Sequence, residues 1–354
     1  EEACRYDVRY RYLLQWQKVP DHNTISRFIK EHLSTCLEDL FFQMVQFLME
    51  QEEIRFEQIF LDGTKIEANA NKYTFVWRGS IEKNYARLKE KAAAVLQEEQ
   101  EIDAAVLKRA LRKLDREIER EQITFVHGAG SRKHPLQRQY EQLQEWYDRA
   151  LYYEKALQIL GEGRNSYSKT DKDATFMRIK RDYMGNDQLL PAYNVQVAVC
   201  DEYIAVVDAK PYASDMDCFV PLMEKFNTTY GHYPKYPVAD AGYGSYNNYI
   251  YCEEHGMEKF MKFTMFEKET KDKGYRSNPF RAVNFKKDDN GNLVCPNNKR
   301  FIYKYDKHVK GNKYGRTEEI YECEDCTGCP YKSKCCPKRT KSNREIYLNR
   351  ELTS

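Results

Sequence analysis

Two aspartates stand out for what surrounds them. Asp62 follows the apolar run Gln58-Ile59-Phe60-Leu61 and leads into Gly63-Thr64. Asp240 follows Tyr236-Pro237-Val238-Ala239 and leads into Ala241-Gly242-Tyr243-Gly244. Each apolar run reads as a strand that ends on a carboxylate and a glycine-containing turn. Carboxylate oxygens are hard donors that suit Mg²⁺ or Mn²⁺. Two such ions about 3.5–4 Å apart stabilise the attacking and leaving oxygens of a phosphodiester. That chemistry needs two or three carboxylates from different strands, and Asp62 and Asp240 lie on different strands. The plainer reading is that each Asp caps the turn or helix that follows. Asp215 and Asp217, in Ala213-Ser214-Asp215-Met216-Asp217, come next in interest, with Ser214 or Asp215 read as a helix cap. Glu67 either supports the site or is simply exposed.

Cysteine is the second reactive type. The chain has 11, an odd number that points to the inside of a cell. Cys4, Cys36, Cys200, Cys218 and Cys252 are scattered among apolar neighbours and read as free buried thiols. The other six gather late, as Cys295-Pro296 and then Cys323-x-x-Cys326-x-x-Cys329-x5-Cys335 with Cys336 adjacent. Zn²⁺ takes four thiolate or imidazole ligands in a tetrahedron, and a Cys-x-x-Cys turn supplies two of them. Cys295 as one arm, with Cys323, Cys326, Cys329 or Cys335 completing the set, is a candidate structural Zn²⁺ site. Unligated thiols and a redox pair are the alternatives, and His308 is an outside candidate ligand.

Basic charge concentrates in the same stretch, where Lys286, Lys287, Lys299 and Arg300 are candidate DNA contacts. Tyr275, Phe280, Phe285, Tyr303, Tyr305 and Tyr314 interleave with the basic residues. Clustered cations bind phosphates and aromatic rings stack on unpaired bases, whereas the bland reading is a solubilising surface. The chain as a whole says little about partners: its 354 residues are 32% charged with a net charge of +2. Hydrophobic residues make up 41%, enough for a core. No apolar run reaches the roughly 18 residues of a membrane span, and the start has no signal-peptide pattern. Without an initiator Met, the chain reads as a fragment of a longer protein that lacks both ends. There is no Gly-rich P-loop and no Gly-x-Ser-x-Gly elbow to suggest an ATPase or a serine hydrolase.

The elements that must position these residues follow from periodicity. Residues 1–57 carry apolar positions at helical spacing, with Asp21, Asn23 and Thr24 as candidate caps. Residues 58–74 and 166–266 form a strand-rich core. Its strands are at 58–61, 192–199, 203–209, 236–240 and 259–263, and its helices at 217–230 and 247–255. Between them, 75–165 reads as an antiparallel helical hairpin broken at His127-Gly128-Ala129-Gly130-Ser131. Residues 267–340 form the basic, Cys-rich insert, and 341–354 the start of a helical region. The order is that of a mixed α/β (α+β) fold with a ribonuclease H-like sheet, in which the first and fourth core strands lie side by side.

These residues resemble a known family. Phe60-Leu61-Asp62-Gly63-Thr64-Lys65-Ile66-Glu67-Ala68-Asn69-Ala70-Asn71-Lys72 resembles the first-Asp segment of insertion-sequence DDE transposases, closest to the group catalogued as insertion sequence eleven-eighty-two. Val238-Ala239-Asp240-Ala241-Gly242-Tyr243-Gly244-Ser245 resembles its second-Asp segment. Asp173-Ala174-Thr175-Phe176-Met177 and Pro191-Ala192-Tyr193-Asn194-Val195-Gln196 resemble the lead-in to its second strand. Pro20-Asp21-His22-Asn23-Thr24-Ile25-Ser26-Arg27-Phe28 resembles its amino-terminal module. The resemblance implies Asp62 and Asp240 as catalytic Mg²⁺ (or Mn²⁺) ligands, DNA as partner and substrate, a homo-oligomer on DNA, and a bacterial cytoplasmic, nucleoid-associated location. The family's third carboxylate is a Glu on a helix after the Cys-rich segment. Neither Glu345 nor Glu351 has that context, so the Glu is expected beyond Ser354. The rival expectation is a DNA-binding remnant without catalysis.

Overall fold

The structure is a computed structural model that describes residues 1–97, 101–128, 132–180, 185, 187–336 and 342–349. Its centre is a six-stranded mixed sheet. In chain order the strands named here are β1 (Gln58–Glu67), β2 (Phe75–Trp77), β3 (Ser166–Ser168), β4 (Thr175–Arg178), β5 (Leu189–Cys200), β6 (Tyr203–Lys210), β7 (Tyr236–Ala239) and β8 (Phe260–Met261). The sheet order is β4-β5-β1-β7-β8, with β6 also paired to β5. β4 takes the first part of one β5 edge, at Leu189–Ala192, and β6 takes the rest, at Asn194–Cys200. β5 is antiparallel to β1, whereas β7 runs parallel to β1 and β8 parallel to β7.

Alternation builds the central strands. Ala192, Asn194, Gln196, Ala198 and Cys200 on β5 are all buried on one face, with half-buried residues between them. The hairpin from β5 to β6 turns through Asp201 and Glu202, both at positive φ (48° and 72°), as a tight turn matched to strand twist requires. The core helices are numbered with the rest: α1 (Glu2–Tyr6), α2 (Val8–Leu13), α3 (His22–Phe28), α4 (Leu37–Glu50), α5 (Arg78–Leu96), α6 (Ala104–Arg120), α7 (Pro135–Leu160), α8 (Phe219–Tyr230) and α9 (Tyr246–Glu254). Phe219, Leu222, Met223 and Phe226 of α8 pack in one buried cluster with Ile59 and Leu61 of β1 and with Val45 of α4. Gly231, at φ 77°, ends α8 in the left-handed conformation that glycine adopts without strain.

Three expectations change. Asp62 is not at the end of its strand: β1 continues to Glu67 because β5 pairs with it from Phe60 onward. The strand that stops is β7, whose pairing with β1 ends at Leu61↔Ala239. The insertion is not a two-helix hairpin. Gln97, in the left-handed conformation, ends α5, and Asp103 caps α6 through Val106 N, so α5, α6 and α7 form three helices around one apolar cluster. At the amino terminus, Asp21 does cap α3 by accepting from Thr24 N, but α1, α2 and α3 bury no residue and only Val45 of α4 is buried. The described part of 341–354 is a strand rather than a helix.

That strand closes a separate small sheet. β9 (Lys286–Lys287) and β10 (Leu293–Val294) form a short hairpin, and β11 (Phe301–His308), β12 (Thr317–Cys323) and β13 (Glu345–Leu348) form a three-stranded antiparallel sheet. Ile346 of β13 packs with Phe285, Phe301, Cys295, Cys323 and Cys326, a burial that drives the strand on to β12.

Candidate active site

Where β7 leaves β1, a gap opens at the rim of the sheet. Asp62 and Asp240 are each the next residue after the paired Leu61 and Ala239. They therefore each follow a residue of the last paired position on strands that lie about 4.8 Å apart where they pair. Both are exposed. Asp62 Oδ1 accepts from Gly63 N at 2.9 Å, and Asp240 Oδ1 from Gly242 N at 2.7 Å. The plain turn-capping role is thus present at both positions, and it leaves the second oxygen of each carboxylate free of those bonds.

Asp215 comes to the same rim. A Cβ built on Gly63 would lie 2.9 Å from Asp215 Oδ1, and one on Gly242 would lie 3.6 Å from Asp215 Oδ2. Its carboxylate thus stands between the residues that follow Asp62 and Asp240. Asp215 is not a helix cap, and Ser214, at the capping position, makes no side-chain cap bond. Asp215 Oδ1 accepts instead from Asn194 Nδ2 at 2.8 Å and from Gln196 Nε2 at 3.3 Å. Gln196 also donates to Asn194 Oδ1 at 2.8 Å, and Tyr243 OH donates to Gln196 Oε1. Asn194 and Gln196 are fully buried and Tyr243 nearly so. Burial holds the Tyr243 phenol protonated far above its ordinary range, and the negative charges of Asp215, Asp62 and Asp240 add to that. Asp217 and Glu67 are exposed.

Sequence reasoning missed this network. Its signal was there: Asn194 and Gln196 are the polar members of a strand face otherwise made of Ala and Cys. A buried amide needs a partner, and both amides end on Asp215.

The donor set fits a hard divalent cation in kind. The negative charges of three carboxylates all act on Tyr243, and among the described residues none of them ion-pairs with Lys or Arg. Bringing like charges together costs energy that a cation would relieve. Among the described residues, however, no three His, Cys, Asp or Glu side chains are already gathered as a metal-binding group. A cleft of about 380 Å³, lined by Asp62, Thr64, Lys65, Lys180 and Asp215, opens in front of the rim. Asp240 is not among its lining residues.

A larger groove, about 1420 Å³, opens beside the turn that follows Asp240. Gly244 and Ser245, just past Asp240, begin it, and Lys259, Lys262, Arg276 and Arg316 line it. Its cations rest on rings: Arg316 over Tyr246 at 5.3 Å and Lys262 over Phe266 at 5.3 Å. The four expected DNA contacts lie elsewhere. Lys286 and Lys287 are exposed on β9, Lys299 is half-buried, and Arg300 is paired to Asp288 at 3.0 Å.

The late cysteines do come together. Cys295, Cys323, Cys326, Cys329, Cys335 and Cys336 line one small cavity. His308 does not: it pairs with Thr317 at the opposite end of β11 from Phe301, about 20 Å along the strand from the cysteines. Of the five scattered cysteines, Cys200, Cys218 and Cys252 are buried, whereas Cys4 and Cys36 are half-exposed. Glu345, on β13, is exposed and 3.5 Å from Lys304. Glu351 lies outside the described residues.

Residues 294–354 match the family model described as a transposase DDE domain. The match begins at β10 and covers the Cys-rich segment and β11 to β13, so it supports a relationship to DDE transposases from the part of the chain that does not contain Asp62 or Asp240. No curated protein and no solved structure matches the chain. No helix of the described residues is long and apolar enough to cross a membrane.

Proposed function

We propose that the chain comes from a DDE-type DNA transposase, closest to the group catalogued as insertion sequence eleven-eighty-two. Residues 58–74 and 166–266 are its ribonuclease H-like catalytic core, 1–57 its amino-terminal module, 75–165 a helical insertion and 267–340 a Cys-rich insert. The observation that carries the reading is the parallel pairing of β1 with β7, which sets Asp62 and Asp240 side by side beyond Leu61 and Ala239. The family match at 294–354 supports it from independent residues.

Asp62 and Asp240 would hold Mg²⁺ or Mn²⁺ through their free oxygens, with Asp215 at hand. When bound, the ions would activate the attacking oxygen and neutralise charge on the leaving oxygen of a DNA phosphodiester. The protein's part is positioning. Tyr243, Gln196 and Asn194 pass hydrogen bonds in one direction to Asp215 Oδ1, so that carboxylate is fixed as an acceptor. Lys65 and Lys180 beside the cleft and the basic groove past Asp240 would hold the DNA backbone. Transposon-end and target DNA are the substrates, and a homo-oligomer on DNA is the working form.

The test is cleavage of a labelled transposon-end duplex with Mn²⁺ by a complete protein carrying the downstream Glu, and by its Asp62→Ala and Asp240→Ala variants. Loss of cleavage with DNA binding retained supports the assignment, and full activity in either variant ends it. Salt-dependent binding with no cleavage by that complete protein, or a coding sequence that stops without a downstream Glu helix, favours the rival, a DNA-binding remnant. Binding that ignores salt removes DNA as the partner.

A further inference from the structure

The cysteine cavity is not used by this mechanism; six thiols line one space there, although among the described residues no three of them are yet gathered as a metal-binding group. The fold, not the sequence spacing, assembles this cavity. Pairing of Phe301 with Cys323 brings the Cys295 loop against the end of β12, and the β12–β13 pairing brings Arg344 over the opposite side. The enclosed space is small, about 10 Å³, room for the centre of a single water-sized body.

Three of the sulfur atoms are hydrogen-bonded as acceptors, whereas Cys323 Sγ donates to Asp325 O at 3.9 Å. Cys295 Sγ receives Asn297 N at 3.3 Å and Lys299 N at 3.4 Å. Cys326 Sγ receives Arg344 N at 3.4 Å, and Cys335 Sγ receives Arg344 Nη1 at 2.8 Å. A neutral thiol is a weak acceptor. Four N–H donors, one of them a guanidinium, are the outer shell that a thiolate bound to a metal requires.

We infer that Cys295, Cys323, Cys326 and Cys335 form a tetrahedral four-thiolate site for one Zn²⁺ ion, with Cys329 and Cys336 outside the ligand set. The first, third and fourth of these are the sulfurs that accept N–H bonds. Cys323 completes the set because it is buried in the same cluster as Cys295 and Cys326, a cluster that holds neither Cys329 nor Cys336. Closing the ring takes rotation of cysteine side chains that already line the cavity. Soft sulfur donors select Zn²⁺ over Mg²⁺ or Ca²⁺. Four thiolates around Zn²⁺ carry a net charge of about −2, which Arg344 and Lys332 at the cavity wall offset. The apolar cluster beneath has Phe285, Phe301 and Ile346 as its only buried non-cysteine side chains among the described residues. A sheet with so little core gains most from a metal that ties its strands. The inference does not rest on the transposase reading, since the ion would brace the segment whatever the carboxylates do.

The test is the metal content of the purified full chain by mass spectrometry, with Co²⁺ titration of the chelator-stripped protein. One equivalent of zinc is expected, with intense thiolate-to-Co²⁺ charge-transfer bands on substitution. Cys295→Ser and Cys326→Ser should lose both signals, and Cys329→Ser and Cys336→Ser should keep them. The Co²⁺ titration of the unaltered chain covers the case in which a serine variant fails to fold. A chain that holds no zinc and gives no charge-transfer bands overturns the inference. So does retention of the ion by Cys295→Ser or Cys326→Ser, the finding of iron, or a mass deficit showing disulfides.

Discussion

The carboxylate rim and the cysteine cavity are both clusters of would-be metal ligands, built in opposite ways. The rim is exposed, yet it is anchored from below by buried Asn194, Gln196 and Tyr243 on a sheet with a large apolar core. The cavity is enclosed, and its ligands are themselves half of the cluster that holds the segment together. A site that must admit DNA and exchange hydrated ions has to be open, so its geometry comes from the scaffold. A site that serves stability can be closed, so its geometry comes from the ion. Removing ligands should therefore cost activity at the rim and folding at the cavity.

The largest expected effect breaks the first half of that contrast if it fails. Asp62→Ala and Asp240→Ala should lower strand cleavage by about a thousandfold or more, as loss of several kcal/mol of charge stabilisation implies. Their melting temperature should hold or rise, because a repelling charge is gone. A large drop in melting temperature would mean that the carboxylates are structural.

Next, a strong chelator should make residues 295–349 sensitive to limited proteolysis while the sheet from β1 to β8 resists. Equal resistance of both regions would put the thiols on the same footing as the carboxylates. Third, Gly63→Ala keeps every carboxylate but drives a methyl to within 2.5 Å of Gln196 Nε2 and 2.9 Å of Asp215 Oδ1. Overpacking there should cost about 1–3 kcal/mol by denaturant unfolding, and it should reduce cleavage by displacing Asp215. Fourth, Tyr243→Phe leaves Gln196 Oε1 without its donor and should cost about 1–3 kcal/mol.

The smallest effect is with pH. Burial pushes the Cys252 thiol up to about 12 and the Tyr230 phenol up to about 12, and burial with Asp201 beside it pushes Cys200 up to about 11. In the unfolded chain these groups ionise at about 8.5 for Cys and 10 for Tyr. Above those values the unfolded state holds fewer protons, so stability falls as pH rises. The sheet domain should keep its full stability below about pH 8 and lose it progressively toward pH 12, read by near-ultraviolet circular dichroism during thermal melts.

Much of the core sheet was legible because alternation and turn residues are local signals. The strands at 192–199, 203–209 and 236–240 fall within a residue or a few of β5, β6 and β7. The side-by-side placement of the first and fourth core strands came from element order. What failed was tertiary in origin. β1 runs past Asp62 because β5 offers it a partner, and nothing in Asp62-Gly63-Thr64 announces that. Asp215 read as a cap because a Ser-Asp before a helix ordinarily is one, and its real partners are about 20 residues away in sequence. Leu107, Leu111, Leu114 and Ile118 continue the helical seam of Tyr85, Leu88 and Ala92, so periodicity could not see the break after Leu96.

β2 and β3 have a further consequence. The three-helix unit leaves the sheet domain at Trp77 and returns at Ser166, and those two residues are paired across one ladder. Its entry and exit are therefore only about 5 Å apart, although nearly 90 residues lie between them. The unit is a cassette on a two-strand handle: a short glycine link from Trp77 to Ser166 would excise it and leave the sheet's connectivity intact. Val76 and Tyr167, which share a small apolar cluster with Ile81, Ala156 and Leu160, are the side chains such an excision would strip of cover.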